Sequence, residues 1–275
     1  MVARRLAIVD GRIRPERGAS VSIDNPSFLS GYGLFETLLV RSGRAVFWKE
    51  HLARLGNGAR RLGIEWPPGI DRLAERLPEL VAANLESEEG ALRITLTPAA
   101  LTADGARGAF WVATLRPIPE RSLRKRGGVH GATSRSGAAR TLPGFKTTSY
   151  VAPHLPLPDG ANEWILVNRR GTLLEGGSSN LFLERDGVLE TPLLRLGLLP
   201  GIVRGWVLGW ARGNGIEVVE GRLGAADFFR ADGSFATASL TGIAPWLSLD
   251  GRPGPGFGPL GCRIASAFEK TLASI

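Results

Sequence analysis

The sequence predicts an α+β fold in two domains: a small sheet with helices on one side, then a larger, barrel-like set of strands with helices outside. Three observations carry that expectation. Strand patterns outnumber helical ones and do not alternate with them as βαβ units. The 275 residues suffice for one large domain or two smaller ones. Residues Pro117 to Gly128, PIPERSLRKRGG, have the prolines, charge run and glycines of a linker. Domains are therefore expected at residues 1–116 and 129–275, joined by 117–128.

The elements follow in order. LAIVDGRI, Leu6 to Ile13, reads as a hairpin turning at Asp10-Gly11. FETLLVRSGRAVFW, Phe35 to Trp48, is a second hairpin, turning at Ser42-Gly43. From Glu50, Leu52, Leu55, Ala59 and Leu62 recur at helical spacing, and Gly63 can end that helix. Leu73, Leu77, Leu80, Val81 and Leu85 form another stripe, which Pro78 should kink or restart. ALRITLTPAA and AFWVATLRP have the β-branched and aromatic content of strands. EWILVNRRGTLLEGGSSNLFLERDGVLETP reads as a meander with turns near Gly171 and Gly187. LPGIVRGWVLGWARGNGI is a helix with Ile202, Val203, Trp206, Val207 and Trp210 inward. IEVVEGRL and FATASLTGIAPWLSLDG are further strands, and CRIASAFEKTLASI is a final amphipathic helix.

Composition narrows the function. Hydrophobic residues make 43% and charged residues 22%, as in ordinary folded proteins. No apolar run approaches the ~20 residues of a membrane span. The apolar run before Asp10 is too short for a signal peptide, and Cys262 alone cannot form an intramolecular disulfide, which favours the cytoplasm. The net charge of +8 would suit nucleic acid, but the arginines are scattered among acids and no groove-reading motif accompanies them. His51, His130, His154 and Cys262 lack metal-site spacing, so no metal is expected. No nucleophile elbow, P-loop or dinucleotide fingerprint occurs.

One stretch stands out against this background. Only four of the 34 basic residues are lysines, and one of them, Lys146, follows a Pro143-Gly144 turn in GFKTTSY. Arginine stays protonated, whereas lysine can become a nucleophilic amine. A solvated lysine is the commoner case, so partners must decide. Glu175 ends a strand before the small-residue loop GGSS. His51 and Arg54 share one helix face, and an arginine fork suits a phosphate. The helix start at Ile202 offers backbone N–H groups, and ATASLTG offers hydroxyls. Each feature alone is ordinary. Together an amine, a carboxylate and phosphate donors are what pyridoxal phosphate requires.

The motifs GYGLFETLLV, EHLARL, GFKTTSY, LLEGGSSNLF, LPGIVR and ASLTGIAP, in this order across roughly residues 28–250, resemble those of class IV, fold-type IV pyridoxal-phosphate enzymes. The resemblance implies a small α/β sandwich domain, a larger pseudo-barrel domain and a homodimer, with no nucleic acid and no membrane. It implies Lys146 as the Schiff-base lysine and Glu175 as the partner of the pyridine nitrogen. It implies Arg54, the amides of Ile202 and Val203, and Ser239 with Leu240 as the phosphate cup, and Tyr150 near the ring hydroxyl. Within that family, Thr97-Pro98 stands where D-amino-acid transaminases carry an arginine-glycine pair. Phe35 and SLTGIAP look more like 4-amino-4-deoxychorismate lyases. Arg93, and secondarily Arg107, resemble residues that bind substrate carboxylates. The favoured expectation is a lyase releasing pyruvate to leave 4-aminobenzoate for folate synthesis. The alternative is an aminotransferase of D-amino acids or branched-chain amino acids.

Overall fold

A computed structural model describes residues 5–134, 142, 144–151 and 154–275. Two compact units divide the chain: 1–119 with 145–150 and 275, and 120–144 with 151–274.

The first unit opens with the hairpin β1 (Leu6–Val9) and β2 (Arg12–Pro15). Asp10 and Gly11 turn it at φ 48° and 77°, the two left-handed positions that a tight hairpin needs. Helix α1 (Pro26–Ser30) precedes β3 (Leu34–Arg41) and β4 (Arg44–Ala45), which turn at Ser42-Gly43. Helix α2 (Trp48–Leu62) stops at left-handed Gly63. A 3₁₀ segment, Ile70–Arg76, runs into α3 (Leu77–Asn84), with Pro78 in the first turn, where its missing N–H is harmless. Strand β5 (Glu89–Thr97), the small hairpin β6 (Ala100–Thr102) and β7 (Gly105–Arg107), and β8 (Phe110–Arg116) follow.

These strands form one sheet in the order β2-β1-β8-β5-β3-β4, with β6-β7 apart. Strand alternation sorts the side chains. Leu34, Leu38, Val40, Leu92, Ile94, Leu96, Trp111, Ala113 and Leu115 pack with Leu55 and Ala59 of α2 and Leu77 and Leu80 of α3. Phe35 pairs with Thr95 and Thr37 with Arg93, so these four lie on the opposite face.

The second unit begins with α4 (Glu120–Arg126), inside the segment whose composition reads as a linker. Glu120 and Arg124 pair across one turn, while Ser122 and Lys125 are buried. Then come β9 (Val129–Ser134), β10 (Glu163–Val167), β11 (Thr172–Gly176), β12 (Asn180–Arg185), β13 (Val188–Pro192) and α5 (Ile202–Gly213). After these lie β14 (Val218–Gly221), β15 (Leu223–Gly224), α6 (Ala225–Arg230), β16 (Gly233–Ala238), β17 (Gly242–Leu249), β18 (Arg252–Pro253) and α7 (Pro259–Ala273).

Their sheet runs β14-β13-β12-β16-β17-β9-β10-β11-β15, with β18 on β17. Only Arg222 separates its two end strands in the chain, so the sheet must curl back on itself as a pseudo-barrel. Strands β12 and β16 are buried on both faces. Leu181, Leu183 and Ala236 join Trp246 in one cluster, while Phe182 and Phe235 pack against Val207 of α5 and Ile264 of α7.

Two local expectations need correction. Helix α5 buries Val203, Arg204, Val207, Leu208 and Ala211, whereas Trp206 and Trp210 stay half-buried and stack at 6.3 Å. Arg204 can take an inward place because Glu220 and the Pro192 carbonyl satisfy its Nη2. The segment 145–150 groups with the first unit rather than with the residues around it. No described helix is long and apolar enough to cross a membrane.

Candidate active site

Lys146 is set by backbone pairing with the residues before and within β3. The Phe35 N–H donates to the Lys146 carbonyl at 2.8 Å, and the Thr148 N–H donates to the Gly33 carbonyl at 2.9 Å. The Thr148 hydroxyl donates to the Gly31 carbonyl at 2.7 Å. Two glycines of GYGLF make room for this. A Cβ on Gly31 would lie 2.5 Å from the Ser149 Cβ, and one on Gly33 would lie 3.0 Å from Thr97. Gly58 of α2 does the same for Leu34 and Phe145. Pro143 of the expected turn lies outside the described residues.

The Lys146 side chain is half-buried, and its Nζ lies 4.6 Å from the centre of the Phe35 ring. Arg93 reaches the same ring, with Cζ 3.9 Å from the centre. Strand register explains the meeting, since Arg93 is diagonal to Phe35 across β3 and β5. One aromatic ring thus holds an amine and a guanidinium beside it. Tyr150 is half-buried at the end of the same segment. Arg107 is exposed on the β6-β7 hairpin, where it pairs with Asp104.

Across β3, on the helix-covered face, stands Glu36, 1% exposed. A carboxylate buried there must be paired. Arg54 of α2 donates from Nε and Nη2 to its two oxygens, and His51 Nδ1 lies 2.7 Å from Oε2. Burial pushes the Glu36 carboxyl up, but the charge and hydrogen bonds of Arg54, aided by His51, outweigh this and hold it at about 2. An ionised Glu36 only accepts, so the His51 Nδ1 carries the proton. Burial lowers the His51 pKa against the pull of Glu36, which keeps the ring neutral. The α2 stripe is therefore turned to bring His51 and Arg54 inward with Leu55 and Ala59.

In the second unit, Glu175 is 2% exposed at the end of β11. Its Oε2 accepts from Asn180 Nδ2 at 3.2 Å and from the Leu199 N–H at 3.1 Å. Asn180 also donates to the Leu199 carbonyl at 3.0 Å, so one amide side chain fixes both the carboxylate and the approach to α5. A Cβ on Gly201 would fall 2.0 Å from Asn180 Oδ1, which is why glycine precedes the helix. Gly201 gives α5 no side-chain cap, so the N–H groups of Ile202 and Val203 begin the helix without one. Ser239 and Leu240 lie in the turn between β16 and β17, closed by Gly242 at φ 77°.

Sequence patterning alone did not single out Glu36, Asn180 or the buried pair Lys125–Glu163, linked at 2.8 Å. Glu36 carried a signal nonetheless: a charged residue on the inward stripe of β3, between Leu34 and Leu38. Each unit carries groups of the kinds that bind pyridoxal 5'-phosphate: an amine and a guanidinium in the first, and a buried carboxylate, helix-start amides and hydroxyls in the second.

The sequence model described as amino-transferase class IV matches residues 33–249. A bifunctional aminodeoxychorismate lyase / D-amino acid transaminase of Mycobacterium tuberculosis is 29% identical over 266 residues, covering 89% of this chain and 91% of that protein. The crystal structure of a branched-chain aminotransferase from Thermoproteus uzoniensis with norvaline superposes with a TM-score of 0.85 at 26% identity, over 98% and 95% of the two chains. The pyridoxal-phosphate-bound form of a hypothetical Mycobacterium tuberculosis aminotransferase gives a TM-score of 0.79 at 28% identity, over 98% and 99%.

Proposed function

The chain belongs to the class IV aminotransferase family, whose cofactor is pyridoxal 5'-phosphate, and from that premise we propose that it is an aminodeoxychorismate lyase. It would convert 4-amino-4-deoxychorismate to 4-aminobenzoate and pyruvate. The observation that carries this reading is the Phe35 ring with Lys146 Nζ at 4.6 Å and Arg93 Cζ at 3.9 Å. A guanidinium and an amine held over one aromatic ring suit a substrate that brings a carboxylate close to its reacting amine. Thr97, where a D-amino-acid transaminase would place arginine, is buried and accepts from Asn25 at 3.0 Å.

When bound, the cofactor supplies an electron sink for the bonds of the amine-bearing carbon. Lys146 would hold the cofactor through its amine, and that amine, when free, would take the proton from the amine-bearing ring carbon. The same amine then protonates the methylene of the departing enolpyruvyl group, so that pyruvate leaves and the ring becomes aromatic. Arg93 holds a substrate carboxylate. Glu175, fixed through Asn180 and Leu199, would keep a proton on the pyridine nitrogen. Arg54, the amides of Ile202 and Val203, the Ser239 hydroxyl and the Leu240 amide would hold the phosphate, and Tyr150 would hold the ring hydroxyl. Glu36 orients the Arg54 guanidinium for that role through Nε and Nη2.

An aminotransferase of D-amino acids or branched-chain amino acids is the second reading, favoured by the norvaline-bound neighbour and by the double name of the mycobacterial relative. Incubation with 4-amino-4-deoxychorismate decides. Formation of 4-aminobenzoate with equimolar pyruvate supports the lyase. No product, together with accumulation of the aminated cofactor from D-alanine or L-leucine, overturns it in favour of the transaminase.

A further inference from the structure

Helix α4 lies outside every group assigned above, yet two consecutive side chains of it grip two loops of the second unit. Lys125, buried, donates from Nζ to Glu163 Oε2 at 2.8 Å and to the Ser178 hydroxyl at 2.7 Å. Ser178 in turn donates to Glu163 Oε2 at 2.8 Å, and Ser179 reaches the same oxygen at 3.4 Å. The Gly177 N–H donates to the Trp164 carbonyl at 2.8 Å. The loop GGSS that follows Glu175 is therefore fastened to the start of β10 through one neutralised ion pair. The fit is tight, since a Cβ on Gly176 would lie 2.2 Å from the Ser179 Oγ.

The next residue, Arg126, donates from Nε at 3.1 Å and Nη2 at 3.0 Å to the Leu240 carbonyl. Thr241, buried beside it, directs its hydroxyl at the Ser122 carbonyl of the same helix, at 3.5 Å. A charge-assisted double donation to one carbonyl fixes that peptide plane. It therefore restricts the backbone of Leu240 and the turn that carries Ser239.

We propose that α4 is a positioning clamp: Lys125, through Glu163 and Ser178, sets the Glu175 loop, while Arg126 sets the Ser239–Leu240 turn. In this role both residues act through the groups they hold. The proposal rests on the reading that Glu175, Ser239 and Leu240 hold the cofactor. A clamp of this kind acts on the groups it positions, so its two halves have separate signatures.

The test compares Arg126→Met with the double variant Lys125→Met/Glu163→Gln, which removes both buried charges together and leaves no unpaired ion. Pyridoxal-phosphate affinity is measured by absorbance titration, the phosphate environment by its phosphorus resonance, and the ring environment by the pH midpoint of the cofactor's visible band. Arg126→Met should weaken affinity about tenfold, the loss expected for a charged hydrogen bond. It should move the phosphorus resonance, leave kcat at saturating cofactor nearly unchanged, and be partly rescued by Arg126→Lys. The double variant should move the pH midpoint and leave the phosphorus resonance in place. Where the larger changes prevent folding, Ser178→Ala and Arg126→Gln carry the same comparison. Glu175→Gln and Ser239→Ala are the controls. If the controls change these readouts and the α4 variants alter only thermal stability, the clamp is overturned. If the controls also leave the readouts unchanged, the cofactor-site reading fails, and the clamp with it.

Discussion

Arg54 donates from Nε and Nη2 to the two oxygens of Glu36, each at 2.7 Å. The pairing fixes the plane of the guanidinium and holds it on the core face of β3, where neither partner could stand alone. Replacing Glu36 by glutamine removes the counter-charge and keeps the volume. The Glu36→Gln protein should lose about 3–5 kcal/mol of stability, as expected when one member of a buried pair is removed. It should also bind pyridoxal phosphate more weakly, because Arg54 is no longer oriented. Urea unfolding and cofactor titration measure the two effects.

The same cluster predicts an acid-sensitive fold. Glu36 titrates at about 2 in the folded chain against an ordinary 4.5. The unfolded chain binds that proton first, so the contribution is complete above 4.5 and disappears as pH falls towards 2. Its size is about 3 kcal/mol. His51, held below its ordinary 6.5 chiefly by burial, adds a loss of stability that begins as pH drops below 6.5. Unfolding free energy should therefore decline as pH drops below 6.5 and decline further below 4.5, and Glu36→Gln should flatten the lower limb. A wild-type profile that stays level as pH falls from 4.5 towards 2 contradicts the assignment.

Gly31 gives a test of how Lys146 is placed. Its φ is 68°, and an added Cβ would lie 2.5 Å from the Ser149 Cβ. Gly31→Ala combines left-handed strain with a clash that no flexible side chain can relieve, costing about 1–3 kcal/mol. The segment 145–150 must move to accommodate it. Activity should fall far more than secondary structure content, which circular dichroism and a turnover assay separate.

Lys146→Arg keeps a positive charge near the Phe35 ring and removes the nucleophilic amine. Borohydride should no longer fix the cofactor to the chain, and turnover should fall about 10²–10⁴-fold, the usual contribution of a positioned acid–base group. A surface lysine would tolerate this change without loss of either property.

Much of this arrangement was legible in the chain because it rests on local signals. Asp10-Gly11 and Ser42-Gly43 announced their hairpins, and Gly63 its helix end, because each needs a left-handed backbone that few residues supply. Helix α4 was not legible. Its charge run, flanked by Pro117, Pro119, Gly127 and Gly128, matches a linker, and the burial of Lys125 against Glu163 distinguishes it. Helix α5 keeps Val203 and Val207 inward, with Trp206 and Trp210 half-buried against the same cluster, but hydropathy does not foresee the burial of Arg204, whose Nη2 donates to Glu220. The partners of Arg54 and Glu175 were missed for a related reason. Glu36 lies 18 residues before Arg54 along the chain, and Asn180 bonds Glu175 across a loop turn, so neither pair has a periodic signature.

Arg93 offers the sharpest separation of binding from chemistry. Its Cζ lies 3.9 Å from the centre of the Phe35 ring, and its side chain is exposed at the sheet surface. A guanidinium so placed can meet a substrate carboxylate, but it has no proton to exchange at neutral pH. Arg93→Gln should therefore raise KM for a carboxylate substrate about tenfold, as loss of a charge-assisted hydrogen bond predicts, with kcat nearly unchanged. The visible band of the bound cofactor should be unaltered. Arg107→Gln, at the exposed hairpin beside Asp104, tests the alternative in the same assay. A larger KM effect there than at Arg93 would move the carboxylate site from the β5 face to the β6-β7 hairpin.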